Sequence, residues 1–268
     1  MSTAAVSEQS HVTLNEVVRR YDGPPVVHAL GPINLVLRRS EFFSIVGPSG
    51  CGKSTLLDVL CGLVRPTSGD VQFEGRELRG EVPDGVGVVF QEDSSMPWLS
   101  VRQNVAFGLR TSDLPEKEVT ERVDHAVSFM GLAQFADHYP AQLSGGMRQR
   151  VCIARTLVLR PRLVLLDEPF GALDQQTRLL MGDELLRLWR ETGATVLLIT
   201  HALDEAAMLS DRVGVMSARP GRFIDMAETG WPRDRDSRIV SDPKFGALTA
   251  RLWSCLREES LKTMGRAA

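Results

Sequence analysis

No stretch of the 268-residue chain approaches the ~20 uninterrupted apolar residues of a bilayer-spanning helix, so no membrane span is expected. The first ten residues hold neither a basic cluster nor an apolar run and do not read as a secretory signal. Cysteine is scarce. Cys51, Cys61, Cys152 and Cys255 are scattered and form no C-x-x-C pair, which argues against a disulfide framework or a zinc site and for a reducing, cytoplasmic setting. A basic excess is missing too: 31 Lys and Arg against 34 Asp and Glu leave a net charge of −3, a poor match to a nucleic-acid-binding face. Internal repeats and low-complexity tracts are absent. With 43% hydrophobic and 24% charged residues, the composition is that of a core-burying globular protein rather than a disordered chain.

What is present is a strand–helix rhythm. Residues 12–18 alternate weakly, as an edge strand can, and residues 33–37, 41–46, 71–73 and 86–90 read as further strands. Residues 53–63 turn helical, with Leu56, Leu57, Leu60 and Leu63 on one face. Helical spacing dominates 101–159, where Pro115-Glu116 reads as a helix start. Strands return at 163–166, 195–199 and 212–216, with helices at 175–191 and 204–209 between them. The first of these runs is apolar on both faces, as a covered parallel strand must be. The expectation is an α/β core over 1–100 and 160–230, carrying a small β element and interrupted by a helical subdomain over 101–159. Residues 231–268 are expected to be a mixed-charge linker and a final helix. Its stripe of Phe245, Leu248, Leu252, Trp253 and Leu256 should dock onto the chain's own core.

Two motifs carry chemistry. Gly47-Pro48-Ser49-Gly50-Cys51-Gly52-Lys53-Ser54 fits G-x-x-x-x-G-K-[ST] and lies between an expected strand and helix. Glycines let the backbone wrap a phosphate chain and aim N–H groups at its oxygens, and the helix N-terminus adds its positive end. Lys53 can reach the outer phosphates, Ser54 can ligate Mg²⁺, and Thr55 follows at the same helix start. Cys51 reads as a small side chain that fits the loop. The second motif is the apolar run 163–166 ending in Asp167-Glu168. A carboxylate at a strand's C-terminal edge near a phosphate loop suits Mg²⁺, which assigns Asp167 to the metal and Glu168 to general-base activation of water.

With these in place, the sequence resembles the ATP-binding cassette family. Leu143-Ser144-Gly145-Gly146-Met147 resembles that family's signature, with Met147 where a glutamine is common. Gln91 is similar to the Q-loop glutamine, Gly171-Ala172-Leu173-Asp174 to the D-loop, and His201 to the switch histidine. Tyr21 stands where an adenine-stacking aromatic is expected, with a core tyrosine as the competing reading. The similarity runs from about Val12 to Glu228. It implies a P-loop NTPase (RecA-like) core with an inserted α-helical subdomain and a small antiparallel β element, hydrolysing ATP with Mg²⁺. By the same resemblance, Gln91 offers an oxygen to the metal, and His201 contacts the γ-phosphate and orients water. Ser144, Gly145 and Gly146 would face the γ-phosphate held by a second copy of the chain. His11, His28, His125 and His138 match no motif and read as structural.

One phosphate loop and one signature imply a homodimer. Separate permease subunits would supply the pore, at the cytoplasmic face of the membrane, with a solute-binding protein acting indirectly. The stretch Gln91-Glu92-Asp93-Ser94-Ser95-Met96-Pro97-Trp98-Leu99-Ser100-Val101 is similar to one in nitrate/sulfonate/taurine import ATPases, and the Leu-Ser-Gly-Gly-Met signature is frequent there. The sequence ends soon after the core, without the regulatory domain of maltose-type import ATPases. Either Met96, Pro97 and Trp98 line a groove for a permease coupling helix, or Trp98 packs inside the helical subdomain. The expected function is energy coupling in a bacterial importer for nitrate, aliphatic sulfonates, taurine or a pyrimidine thiamine precursor. The alternatives are an ATPase powering export and one working on nucleic acid; neither two cassettes nor a long coiled coil is present to favour the latter.

Overall fold

The computed structural model describes residues 10–91, 94–171 and 173–266. Glu92, Asp93 and Ala172 of the motifs above, and the first nine residues, lie outside them. In chain order the strands begin with β1 (Ser10–Tyr21), β2 (Val27–Arg38), β3 (Phe42–Val46), β4 (Ser68–Phe73) and β5 (Arg76–Glu77). They continue with β6 (Val86–Val89), β7 (Leu163–Asp167), β8 (Thr195–Ile199), β9 (Arg212–Met216) and β10 (Phe223–Glu228). They form two sheets, one of four strands ordered β2-β1-β4-β5 and one of six ordered β10-β9-β3-β8-β7-β6.

The small sheet is antiparallel, and in it β1 is interior rather than at an edge, flanked by β2 and β4. Its alternation looks weak because a bulge between Leu14 and Val17, with Glu16 at φ 48°, breaks the period of two. In the large sheet β6, β7, β8, β3 and β9 run parallel, while β10 closes one edge antiparallel. Every residue of β3, β7 and β8 is buried, which is why these segments read as unbroken apolar runs. Strand β10 was not legible in the sequence: one of its six residues is buried and its polarity follows no clean alternation.

The helices are α1 (Lys53–Leu60), α2 (Val101–Ala106), α3 (Glu116–Phe129), α4 (Gly145–Leu157), α5 (Gln175–Thr192), α6 (Leu203–Leu209) and α7 (Pro243–Arg266). Helix α1 stops three residues short of the expected 53–63, because Gly62 at φ 76° reverses the chain and leaves Leu63 exposed. Helix α3 starts just after Pro115, as expected. Asp174 caps α5 by accepting from the Thr177 N–H, and Gly193 in the left-handed region ends it.

Apolar side chains gather on both faces of the large sheet. One cluster joins α1 and the small sheet to Phe43, Ile45, Leu165 and Leu197; the other joins α2 to α6 to Phe42, Val164, Leu166, Val196 and Leu198. Helix α7 docks on the second cluster through Phe245, Leu248 and Leu252, as its stripe predicts, and Leu256 is buried too. Trp253 departs from that expectation at 53% exposure, since it sits about 100° round the helix from Leu252.

Candidate active site

Parallel strands that end on one side deliver their following loops to one place. The loops after β3, β6, β7 and β8 therefore bring residues 47–54, Gln91, Glu168 and His201 to the same edge. In the loop 47–54, Gly52 at φ 112° caps α1, and a Cβ there would come within 2.7 Å of the Ala29 carbonyl oxygen on β2. Only glycine satisfies both conditions. Lys53 is buried and curls over its own loop, donating from Nζ to the Gly47 oxygen at 2.8 Å and the Pro48 oxygen at 3.2 Å. The Cys51 Sγ lies 3.9 Å from that Nζ. Burial pushes the Cys51 thiol up, against the pull of Lys53, which agrees with a packing role.

Asp167, the last residue of β7, is buried, with the Ser54 hydroxyl near enough to favour its charged form. Burial raises its carboxyl above the usual range; Ser54 and Lys53 oppose the shift, and the negative charges of Glu168 and Asp58 reinforce it. The Ser54 hydroxyl and the buried Asp167 carboxylate, which another positive charge would relieve, are hard oxygen donors of the kind Mg²⁺ prefers. Among the described residues no cluster of three or more His, Cys, Asp or Glu could hold a metal.

Glu168 turns out of the strand at φ 46°, a left-handed conformation that costs a non-glycine residue about 1–2 kcal/mol. Backbone hydrogen bonds from the Glu168 N–H to the Ile199 oxygen (2.8 Å) and from the Gly171 N–H to the Glu168 oxygen (3.1 Å) hold it there. One carboxylate oxygen, Oε2, accepts from Gln91 Nε2 at 3.0 Å and lies 3.2 Å from His201 Nδ1. Glutamine, glutamate and histidine from three loops thus meet on one atom. The cleft they line, about 300 Å³, also takes in Gln149, Pro169, Gly171 and Leu173. Gln149 was missed in the sequence. It is buried, and its Nε2 has no hydrogen-bond partner. Its one cue was its place a turn into the helix that the signature opens.

Behind this centre, Glu205 is buried on α6. It accepts from the Thr200 hydroxyl at 2.7 Å, while its Oε1 has no partner. Thr200 in turn accepts from the Ala202 N–H at 3.0 Å, so the pair braces the turn that carries His201. Burial pushes the Glu205 carboxyl up to about 7, with Thr200, Arg178 and His201 opposing.

The remaining expected residues fall elsewhere. Ser144 is the N-cap of α4, its hydroxyl accepting from the Met147 N–H at 3.3 Å, with Gly145 and Gly146 in the first turn. Among the described residues no hydrogen bond or ion pair joins Ser144, Gly145 or Gly146 to the loop 47–54. Tyr21 ends β1, half-buried rather than in the core, with the Arg19 guanidinium 4.3 Å from its ring centre. Trp98 is 71% exposed, which overturns the packed alternative for that side chain. It is held outward because Asn104, fully buried, bonds the Met96, Leu99 and Ser100 oxygens and the Met96 N–H. Of the four histidines read as structural, His11 is buried, its Nδ1 2.5 Å from the Thr195 hydroxyl, and so links the small sheet to the large one.

A phosphate-type loop between a parallel strand and a helix, beside a strand that ends in Asp167 with Glu168 just beyond it, defines a P-loop NTPase. Residues 30–171 match the family described as ABC transporter, and the chain belongs to that family as one of its ATP-hydrolysing cassettes. It is 45% identical over 238 residues to an uncharacterized ABC transporter ATP-binding protein of Methanocaldococcus jannaschii, covering 89% of this chain and 88% of that one. It is 40% identical over 263 residues to the taurine import ATP-binding protein TauB of Roseobacter denitrificans (95% and 97% covered). The nitrate import ATP-binding protein NrtD of a Synechocystis strain is also 40% identical, over 254 residues (92% and 95% covered). Among solved structures, the dimeric post-hydrolysis state of the ATP-binding cassette MJ0796 bound to ADP and Pi superposes with a TM-score of 0.73. That match has 31% identity and covers 82% of this chain and all of the other.

Proposed function

We propose that this cassette energises uptake of a small solute of the nitrate, sulfonate or taurine kind. Two copies would work as a pair on separate permease subunits at the cytoplasmic face of a membrane, served indirectly by a solute-binding protein. The observation that carries the catalytic part is the convergence of Gln91 and His201 on Glu168 Oε2, beside the Ser54–Asp167 pair. The import part is supported by relatives named for taurine and nitrate import that match nearly the whole chain.

In this reading the amides of residues 47–55 cradle the phosphates, and Lys53 leaves the Gly47 and Pro48 oxygens to pair with the outer ones. Tyr21 stacks on the adenine. Ser54, Asp167 and Gln91 would hold Mg²⁺, which when bound neutralises phosphate charge. Glu168 accepts the proton of the attacking water, and His201 orients that water and steadies the γ-phosphate as its bond to ADP breaks. The α4 N-terminus, with Ser144, Gly145 and Gly146, closes on the γ-phosphate of the other copy. Its unpaired N–H groups make an anion site that the chain does not aim at its own loop. Met96, Pro97 and Trp98 form the outward surface on which a permease segment docks.

The test is reconstitution. The cassette, its permease partner and the solute-binding protein should accumulate labelled taurine or nitrate in vesicles only with ATP on the cassette's side. Efflux instead of uptake, or stimulation of ATPase by DNA or RNA and not by the permease, would refute the import reading.

A further inference from the structure

We infer that Arg219 is a positioning residue for the phosphate loop, held in place by the C-terminal helix through Glu259. The inference rests on the proposed phosphate-binding role of residues 47–55. It starts from the turn between β9 and β10, to which the sequence motifs assign nothing.

That turn runs directly behind the loop. A Cβ on Gly221 would fall 2.3 Å from the Cys51 carbonyl oxygen, so only glycine lets the two backbones pass. Hydrogen bonds from the Gly221 N–H to the Ala29 oxygen (3.0 Å) and from the Gly31 N–H to the Gly221 oxygen (3.1 Å) stitch the turn to β2 as well. From this base, the Arg219 guanidinium reaches forward. Its Nε and Nη2 donate to the Gly50 oxygen at 3.0 and 2.9 Å, a two-pronged grip on one carbonyl. On its other side the turn is tied to α7: the Ala218 N–H donates to Glu259 Oε2 at 2.7 Å. Glu259 is buried, and α7 is itself anchored to β10 by Arg251 on Asp225 and to the core by Leu252 and Leu256. A continuous series of contacts therefore runs from α7 through Ala218 and Arg219 to Gly50.

The physical consequence concerns one peptide unit. In a trans peptide the carbonyl and the N–H point in opposite directions, so gripping the Gly50 oxygen also sets the direction of the Cys51 N–H, which here donates to the Pro48 oxygen at 3.3 Å. Gly50, at φ 71° and without a side chain, is the residue of the loop most free to let that unit rotate. A peptide unit held in one orientation costs less to reorganise when an anion arrives than one left free to rotate. The planar fork, and not the positive charge alone, is what fixes the orientation, and lysine cannot reproduce it.

The experiment measures Kd for a fluorescent ATP analogue, together with KM and kcat, in Arg219→Ala, Arg219→Lys, Glu259→Ala and the Arg219→Ala/Glu259→Ala double variant. Lys53→Ala is the reference. Losing a charged hydrogen-bond donor should raise Kd and KM about tenfold in Arg219→Ala, with kcat at saturating ATP within about twofold of the parent. Arg219→Lys should recover only part of the loss, and Glu259→Ala should move Kd the same way by a few-fold. Because the two residues act in series, the double variant should bind no more weakly than Arg219→Ala alone. If Arg219→Ala fails to fold, Arg219→Lys carries the test through the same split between KM and kcat. Parent-like Kd in the Arg219 variants, or losses that multiply in the double variant, would overturn the inference. Parent-like Kd in Lys53→Ala would instead overturn the phosphate-loop reading beneath it.

Discussion

At the scale of the residue, Glu168 Oε2 is the shared atom, with Gln91 and His201 both on it. A carboxylate serving as base is lost on amidation, while its shape and most of its contacts survive. Glu168→Gln should therefore cut steady-state ATP hydrolysis by about 10²–10⁴-fold and leave ATP affinity within about twofold. Phosphate release at the parent rate in that variant would sink the assignment. Lys53 has a different task. Among the described residues its Nζ hydrogen-bonds only to carbonyl oxygens and a thiol and forms no ion pair, although Asp167 is near enough to feel its charge, which leaves the ammonium available for phosphate. Lys53→Ala should weaken ATP binding by at least about tenfold, read by equilibrium titration, since a charged hydrogen bond is lost at each phosphate contact.

At the scale of the element, the short helix α6 pays for the position of His201 with a buried acid in its first turn. Glu205 has a folded-state pKa of about 7, above the 4.5 of an unhindered glutamate. Between those values the folded protein keeps a proton that the unfolded chain releases, so this residue's contribution to stability declines as pH rises through the window. The change is on the order of 3 kcal/mol. Glu205→Gln, which cannot ionise, should remove that slope. Urea unfolding of parent and variant at pH 5 and pH 8 should show the parent losing more stability than the variant on the alkaline side; parallel pH dependences would contradict it. The orphan Oε1 fits this picture, because an ionised carboxylate with one oxygen unpaired is costly to bury.

At the scale of the whole molecule, the two helix starts proposed to bind phosphate lie apart: α1 on one face of the large sheet, α4 among the helices of the other. A pair of chains can bring them together where one chain does not. Glu168→Gln with ATP should therefore sediment as a dimer, and the further change Ser144→Arg should return it to monomer. Parent ATPase activity per molecule should rise with protein concentration. A specific activity independent of concentration, from a species that sediments as monomer throughout, would remove the case for a composite site.

The sequence by itself determined the phosphate loop, the acid pair and the helical period of 101–159, because each is written in neighbouring residues. Backbone torsions at Gly52, the cap at Ser144 and the apolar run of β7 need only local information. Gln91 and His201 were legible only through the family resemblance, which matches each by its place just beyond a strand. Tertiary structure alone decided the rest. That β1 is interior depends on β4, more than 45 residues away in the chain, and on a bulge that hides its period. That Trp98 faces outward depends on a buried asparagine binding the loop's carbonyls. Arg219 and Glu259 are placed by side chains that reach other elements, Arg219 bonding an atom 169 residues back and Glu259 one 41 residues back. Such contacts leave no periodic trace, because no spacing rule links two residues that meet only when separate elements pack.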